Sequence, residues 1–361
     1  MHVNAGSKKG DDLAASDSGA GKVRIAIDET RLGQWMAAHV EGFFGPLTVE
    51  QFNGGQSNPT YRLTTPGARY VLRRKPPGPL LKGAHDVLRE ARVQQALAGT
   101  DVPVARIYGV CDDESVIGSA FYVMEMVDGR IFWDAGFSEI PAHHRAAYMD
   151  EMNRVIASLH SLDPRTVGLG DYGPPGNYFA RQITRWSRQY LEDDLAGRLH
   201  DMDALVEWLP TAIPASDETA IVHGDFRCDN MIFHPTEPRV LAVLDWELST
   251  LGNPLADFAY HAMLYRMPGD IVAGLGGADP VALGLPTEED YVARYSWRTG
   301  RSGIADWDFY VAFNFFRLAA IFHGIKGRVL RGTASNARAR ERAEALPRLA
   351  ALAREAMEKA R

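Results

Sequence analysis

Asp225, Asn230 and Asp245 fall within one stretch, IVHGDFRCDNMIFHPTEPRVLAVLDWE, residues 221–247. Asp225 and Asn230 are five apart in a single loop. The apolar runs Met231 to Phe233 and Val240 to Leu244 read as two strands joined by the turn His234 to Arg239, which returns Asp245 beside Asn230. Transfer of a γ-phosphoryl group needs a carboxylate that accepts or orients a hydroxyl proton, plus oxygen ligands that hold Mg²⁺ against the phosphates. This segment supplies both kinds of group.

Something must position those side chains, and the rest of the chain supplies two kinds of element. Strand-like runs cover Leu47 to Phe52, Thr60 to Thr64 and Tyr70 to Arg74, divided by a Gly-Gly loop and a Pro-Gly turn. A helix-period segment follows from Ala84 to Leu97, then strand-like runs at Ala105 to Val110 and Phe121 to Val127. Beyond Asp128 the pattern is helical at 145–160, 177–195, 287–298, 306–330 and 335–356, interrupted by the β-rich stretch Ala220 to Asp245. The expected organisation is a tail over residues 1–22, too poor in apolar side chains to order, an N-terminal nucleotide-binding lobe over 23–127, and a helical catalytic and substrate lobe over 128–361.

Composition excludes several classes of function. The 361 residues are 46% hydrophobic and 24% charged, with a net charge of -7. That balance argues against a general nucleic-acid binder or a protein held on an anionic membrane. The two cysteines, Cys111 and Cys228, have no metal-ligand spacing, which fits a reducing cytoplasm. No signal-peptide core is visible, and the apolar run Val311 to Phe322 is broken by Asn314 and Arg317.

The pattern H-G-D-x-x-x-x-N followed by D-x-E resembles the aminoglycoside phosphotransferase and choline kinase superfamily. The wording VHGDFRCDNMIFHP and VLDWELSTLGNPLADFAY looks most like the kinase-like half of acyl-CoA dehydrogenase family fusion proteins and their free-standing bacterial relatives. The resemblance covers most of the chain after Leu47 and implies an α+β, protein-kinase-like bilobal fold that uses ATP and Mg²⁺ on a small-molecule acceptor. Carried over by position, Asp225 is the catalytic base, Asn230 and Asp245 are metal ligands, and Glu247 is a further ligand or a solvent-facing glutamate. Arg227 stands where protein kinases place a lysine on the γ-phosphate. His223 and Asp257 order the catalytic loop.

In the first lobe the resemblance makes Gly55, Gln56, Ser57 and Asn58 the residues that cover the phosphates. Val71 and Arg73 share a strand face in the position of the V-A-I-K motif, with Arg73 replacing the lysine and Glu90 as its partner. Tyr122 to Gly129 resembles the kinase hinge, which places adenine against Glu125 and Val127.

Three readings compete: a small-molecule kinase, a protein kinase and a non-catalytic nucleotide-binding scaffold. Gly224 has no side chain with which to read a phosphorylated activation loop, the run from Asp245 to Asp257 is short, and no A-P-E occurs. A scaffold would be expected to lose Asp225, Asn230 or Asp245. The small-molecule kinase is therefore favoured. For the acceptor, Glu192, Asp193, Asp194, Asp201 and Asp203 could line a site for a polycation such as an aminoglycoside. Against it, Arg181, Arg185 and Arg188 recur at i, i+4 and i+7 on one helical face and suit an anion, and the resemblance implies a hydroxy acid or hydroxyacyl thioester as the alternative acceptor.

Overall fold

The structure, a computed structural model, describes residues 27–52, 58–76, 86–334 and 338–361 together with the backbone of Ala20–Gly21. The tail expected over 1–22 lies outside the described residues except for Ala20–Gly21, which form a short strand. The chain divides into two compact units, Met1–Ile131 with Asn230–Glu247, and Phe132–Asp229 with Leu248–Arg361.

The first unit is built on a six-stranded antiparallel sheet. Its strands are β1 (Ala20–Gly21), β2 (Thr48–Phe52), β3 (Thr60–Thr64), β4 (Arg69–Arg74), β5 (Ile107–Cys111) and β6 (Phe121–Glu125), in the order β1-β2-β3-β4-β6-β5. Helix α1 (Glu29–His39), unforeseen in the sequence, starts where Asp28 accepts the Arg31 N–H at 3.0 Å. Helix α2 (Val87–Leu97) is capped in the same way by Asp86, which accepts from Arg89 N–H at 3.1 Å. Alternation along β4 sorts the two cores. Tyr70 and Leu72 pack with Leu32 and Met36 of α1, while Val71 packs with Val87 and Ala91 of α2.

The hairpin Met231–Phe233/Val240–Val243 belongs to this unit rather than to the helical lobe expected to hold it. Backbone bonds explain the placement: Phe233 and Arg130 exchange N–H···O bonds at 2.8 Å, and the Val243 N–H reaches the Pro103 carbonyl at 2.9 Å. Leu244 N–H donates to the Asn230 carbonyl at 2.8 Å, so the turn does bring Asp245 back beside Asn230.

The second unit is mainly helical: α3 (Ala142–Ser161), α4 (Tyr178–Glu192), α5 (His200–Trp208), α6 (Pro254–Ala262), α7 (Glu288–Arg298), α8 (Trp307–Leu330) and α9 (Ala339–Lys359). Neither α5 nor α6 was foreseen. Asn253 caps α6 by accepting from Leu255 N–H and Ala256 N–H, with Pro254 in the first turn where its missing N–H costs nothing. The apolar run 311–322 is the buried body of α8, and among the described residues no helix is long and apolar enough to cross a membrane.

Candidate active site

In the first unit the side chains converge on Arg73. Strand alternation turns it to the α2 side, where its Nε lies 2.7 Å from Glu90 Oε2. Its Nη2 lies 2.7 Å from Asp245 Oδ1 and 3.8 Å from Glu247 Oε2. Arg73 and Glu90 are almost wholly buried, so losing either partner would strand the other away from water. Burial pushes the Glu90 carboxyl up to about 7; Arg73 pulls it down, and the charges on Asp245 and Glu247 add to the rise. Asp245 holds φ at +62°, a left-handed value that a non-glycine residue adopts only where its surroundings impose it. Asp245, Glu247 and Asn230 carry hard oxygen donors, the chemistry that suits Mg²⁺.

The remaining nucleotide-side expectations divide. Gly55, Gln56 and Ser57 lie outside the described residues. Asn58 is fully buried and donates its amide to Glu90 Oε1 at 2.5 Å, so it braces the Arg73–Glu90 pair rather than presenting itself over a phosphate. Tyr122 donates to Glu90 Oε2 at 3.2 Å. At the expected hinge, the Glu125 N–H is already given to the Arg106 carbonyl at 2.8 Å and its side chain is exposed, which leaves no adenine contact to that N–H. Val127 packs against both the Val71 cluster and the cluster of Ile131, Ile232 and Ala242, forming an apolar wall of the kind a flat base needs.

In the second unit, helix α6 organises the loop that carries Asp225. Asp257 accepts the His223 N–H at 2.7 Å and the Gly224 N–H at 2.8 Å, one on each oxygen. His160 Nε2 lies 3.2 Å from the same carboxylate. Burial alone would raise the Asp257 carboxyl, but the bond to His160 and the His223 N–H outweigh it and hold it below the usual range. Gly224 sits at φ +87°, and a Cβ there would stand 2.9 Å from the Leu248 carbonyl oxygen, so only glycine fits between His223 and Asp225. His261 Nδ1 contacts the Phe226 carbonyl at 3.1 Å and must donate to it, leaving Nε2 to accept from Tyr291 Oη at 2.6 Å. Desolvation lowers His261 to about 4, so it is neutral. Tyr260 donates its hydroxyl to Asp225 Oδ1 at 2.6 Å.

Arg227, expected on a phosphate, instead pairs with Asp229 two residues on, and Asp229 keeps it charged despite its burial. Desolvation pushes the buried Cys228 thiol up to about 12, which makes it a poor nucleophile. A mostly apolar cavity of about 60 Å³ opens here, walled by Phe137, Met149, Met152, Met263, Met267 and Leu318. Arg227, Cys228, Asp229, Tyr260 and His261 also line it.

The arginine stripe does not form a single anion-binding face. Arg181 turns back onto the Gly176 and Pro174 carbonyls, closing the loop ahead of α4. Arg185 lies over the Trp186 ring at 4.8 Å, and Arg188 reaches toward Glu192 at 3.9 Å. Arg185 and Arg188 line an open groove with Arg331, Glu192 and Asp193 that includes none of the loop residues 223–230. The acidic alternative is also partly neutralised: Asp193 pairs with Arg331 at 2.8 Å, and Asp203 with Arg198 at 2.7 Å.

Tyr260 and His261 were missed, although a signal was there. Asp257, Tyr260 and His261 fall at i, i+3 and i+4 on one helical face a few residues after the D-x-E turn at 245–247. The cavity had no sequence signature, because its methionines come from α3 and from the segment following α6.

The model of the phosphotransferase enzyme family matches residues 48–300. Mouse acyl-CoA dehydrogenase family member 10 is 42% identical over 311 residues, covering 86% of this chain and 29% of that protein. Acyl-CoA dehydrogenase family member 11 of Gallus gallus is 43% identical over 335 residues, covering 89% of this chain and 42% of that one. The chain thus spans less than half the length of these curated relatives. Among solved structures, a Ralstonia eutropha protein provisionally described as an aminoglycoside phosphotransferase superposes with a TM-score of 0.86 at 52% identity, covering 92% of this chain and 99% of that one. Choline kinase of Cryptosporidium parvum superposes with a TM-score of 0.62 at 10% identity, covering 92% and 97%, a likeness of fold alone. A family match that takes in the Asp225 loop, the hairpin and α6 settles the assignment: the chain belongs to the phosphotransferase enzyme family and is a small-molecule phosphotransferase of α+β, protein-kinase-like fold.

Proposed function

We propose that this protein transfers the γ-phosphoryl group of ATP, with Mg²⁺, to a hydroxyl of a small acceptor that carries a short apolar chain, a hydroxy acid or its acyl thioester. The observation that carries the acceptor class is the methionine-rich cavity, whose wall includes the tyrosine bonded to Asp225. Unbranched thioethers adapt to aliphatic chains and offer nothing to a polycation. The acidic residues that could hold an aminoglycoside are in part already paired. Relatives named for acyl-CoA dehydrogenation contain a stretch similar to this chain, which supports an acyl acceptor. Phosphotransferases of similar fold solved with GDP and with AMP-PNP are in keeping with a nucleotide donor.

In this reading Asp225 takes the proton of the acceptor hydroxyl as its oxygen bonds to the γ-phosphorus, and the bond from phosphorus to the bridging oxygen breaks to release ADP. Bound through Asn230, Asp245 and Glu247, Mg²⁺ would neutralise charge on the phosphates. Arg73 holds Asp245 in place and is itself fixed by Glu90, while Val71 and Val127 give the base an apolar seat. Arg227 keeps Asp229 neutralised beside the acceptor cavity. The test is an ATP-consumption screen of short-chain hydroxy acids, their CoA thioesters, choline-like alcohols, sugars and aminoglycosides. Hydroxy acids or their thioesters are expected to give the highest kcat/KM, and a preference for an aminoglycoside would overturn the acceptor class.

A further inference from the structure

Tyr260 lines the cavity and donates a hydrogen bond to the Asp225 carboxylate. Its ring lines the space assigned to the acceptor, and its hydroxyl ends 2.6 Å from Asp225 Oδ1. Arg317 of α8 contacts the tyrosine and the loop: its Cζ sits 5.3 Å from the centre of the Tyr260 ring, and its Nη2 donates to the carbonyl of Gly224, the residue before Asp225, at 3.3 Å. A cation over a tyrosine face in a half-buried setting holds the ring in place.

We propose that Tyr260 is a positioning residue for the reaction: it fixes the orientation of the Asp225 carboxylate relative to an acceptor seated in the cavity, with Arg317 holding the phenol in register. The proposal rests on the reading of Asp225 as the base.

Three arms of one helix make the device. Asp257 fixes the loop backbone ahead of Asp225, His261 fixes the Phe226 carbonyl just after it, and Tyr260, between them on α6, fixes the side chain itself. A carboxylate on a loop has free rotation about its last torsion, and a base misaligned by a fraction of an ångström loses much of its effect. A donor anchored on a helix removes that freedom. Burial and the neighbouring Asp225 charge drive the Tyr260 phenol well above its ordinary range, so it donates at any working pH.

The test is Tyr260→Phe, which removes one oxygen and keeps the ring. With ATP and hydroxyhexanoate as the probe acceptor, kcat should fall about ten- to hundredfold while the KM for ATP stays within about twofold. Slow ATP hydrolysis, with water as acceptor, should fall in parallel and reads the effect without any organic acceptor. In an Asp225→Asn background, Tyr260→Phe should leave the residual rate of ATP hydrolysis unchanged, since both changes act through one group. Arg317→Gln, which leaves Tyr260 intact, should give a smaller loss of kcat with the same unchanged KM for ATP. A Tyr260→Phe enzyme with raised acceptor KM and wild-type kcat would make the residue a cavity wall and overturn the proposal. An additive effect in the Asp225→Asn background would overturn it too. Near-wild-type turnover by Asp225→Asn alone would instead remove the base reading beneath it, which separates the two failures.

Discussion

Asp257 and Gly224 are joined by a 2.8 Å hydrogen bond from the Gly224 N–H to the aspartate Oδ1, and the other oxygen takes the His223 N–H at 2.7 Å. A buried carboxylate so placed is the anchor of the loop that carries Asp225. Asp257→Asn replaces one acceptor oxygen with an NH₂ that faces a backbone donor. We expect a stability loss on the order of 2–4 kcal/mol and a clear drop in kcat through the displaced loop. Urea midpoints and steady-state rates measure both. An Asp257→Asn protein with an unchanged midpoint would show that the loop is held by other means.

Arg73 bridges Glu90 and Asp245 with different nitrogens of one planar fork, a geometry that a lysine cannot copy. Arg73→Lys should therefore fold but lose about tenfold in kcat/KM for ATP, equivalent to about 1.4 kcal/mol of transition-state stabilisation. Unchanged nucleotide kinetics in Arg73→Lys would mean the fork has no special role.

His261 carries a pH signature of its own. Desolvation holds it near 4 in the folded protein against 6.5 as the ordinary value. Between those values the unfolded chain binds a proton that the folded chain refuses, so the stabilisation is complete above about 6.5 and is lost as the pH falls toward 4. The loss is on the order of 3 kcal/mol. Urea unfolding across this range should show the slope in the wild type and a flatter profile in His261→Gln. Parallel profiles would contradict the assignment.

Local periodicity carried most of the architecture. Thr60–Thr64 matches its expected strand, and alternation along β4 placed Arg73 opposite Glu90. The failures share a cause, which is contacts distant in sequence. Asn58 reads as part of a glycine-rich phosphate loop, yet its partner is Glu90 on α2. Arg181 reads as one of three cations on a helix face, but the chain folds back so that its guanidinium caps the loop at Pro174 and Gly176. The hairpin expected in the helical lobe is bonded to Pro103 and Arg130, far upstream. Tyr260 and Arg317 acquire meaning only when α6 and α8 pack beside the 223–230 loop.

The most direct measurement is phosphate transfer itself, followed by phosphorus NMR with ATP, Mg²⁺ and a short-chain hydroxy acid, for the wild type beside Asp225→Asn. The wild type should form a phosphomonoester of the acceptor. Asp225→Asn should form none while binding Mg-ATP with nearly the wild-type Kd, because the change removes the proposed base and leaves Asn230 and Asp245, the proposed metal ligands, intact. Near-wild-type turnover by Asp225→Asn would contradict the account.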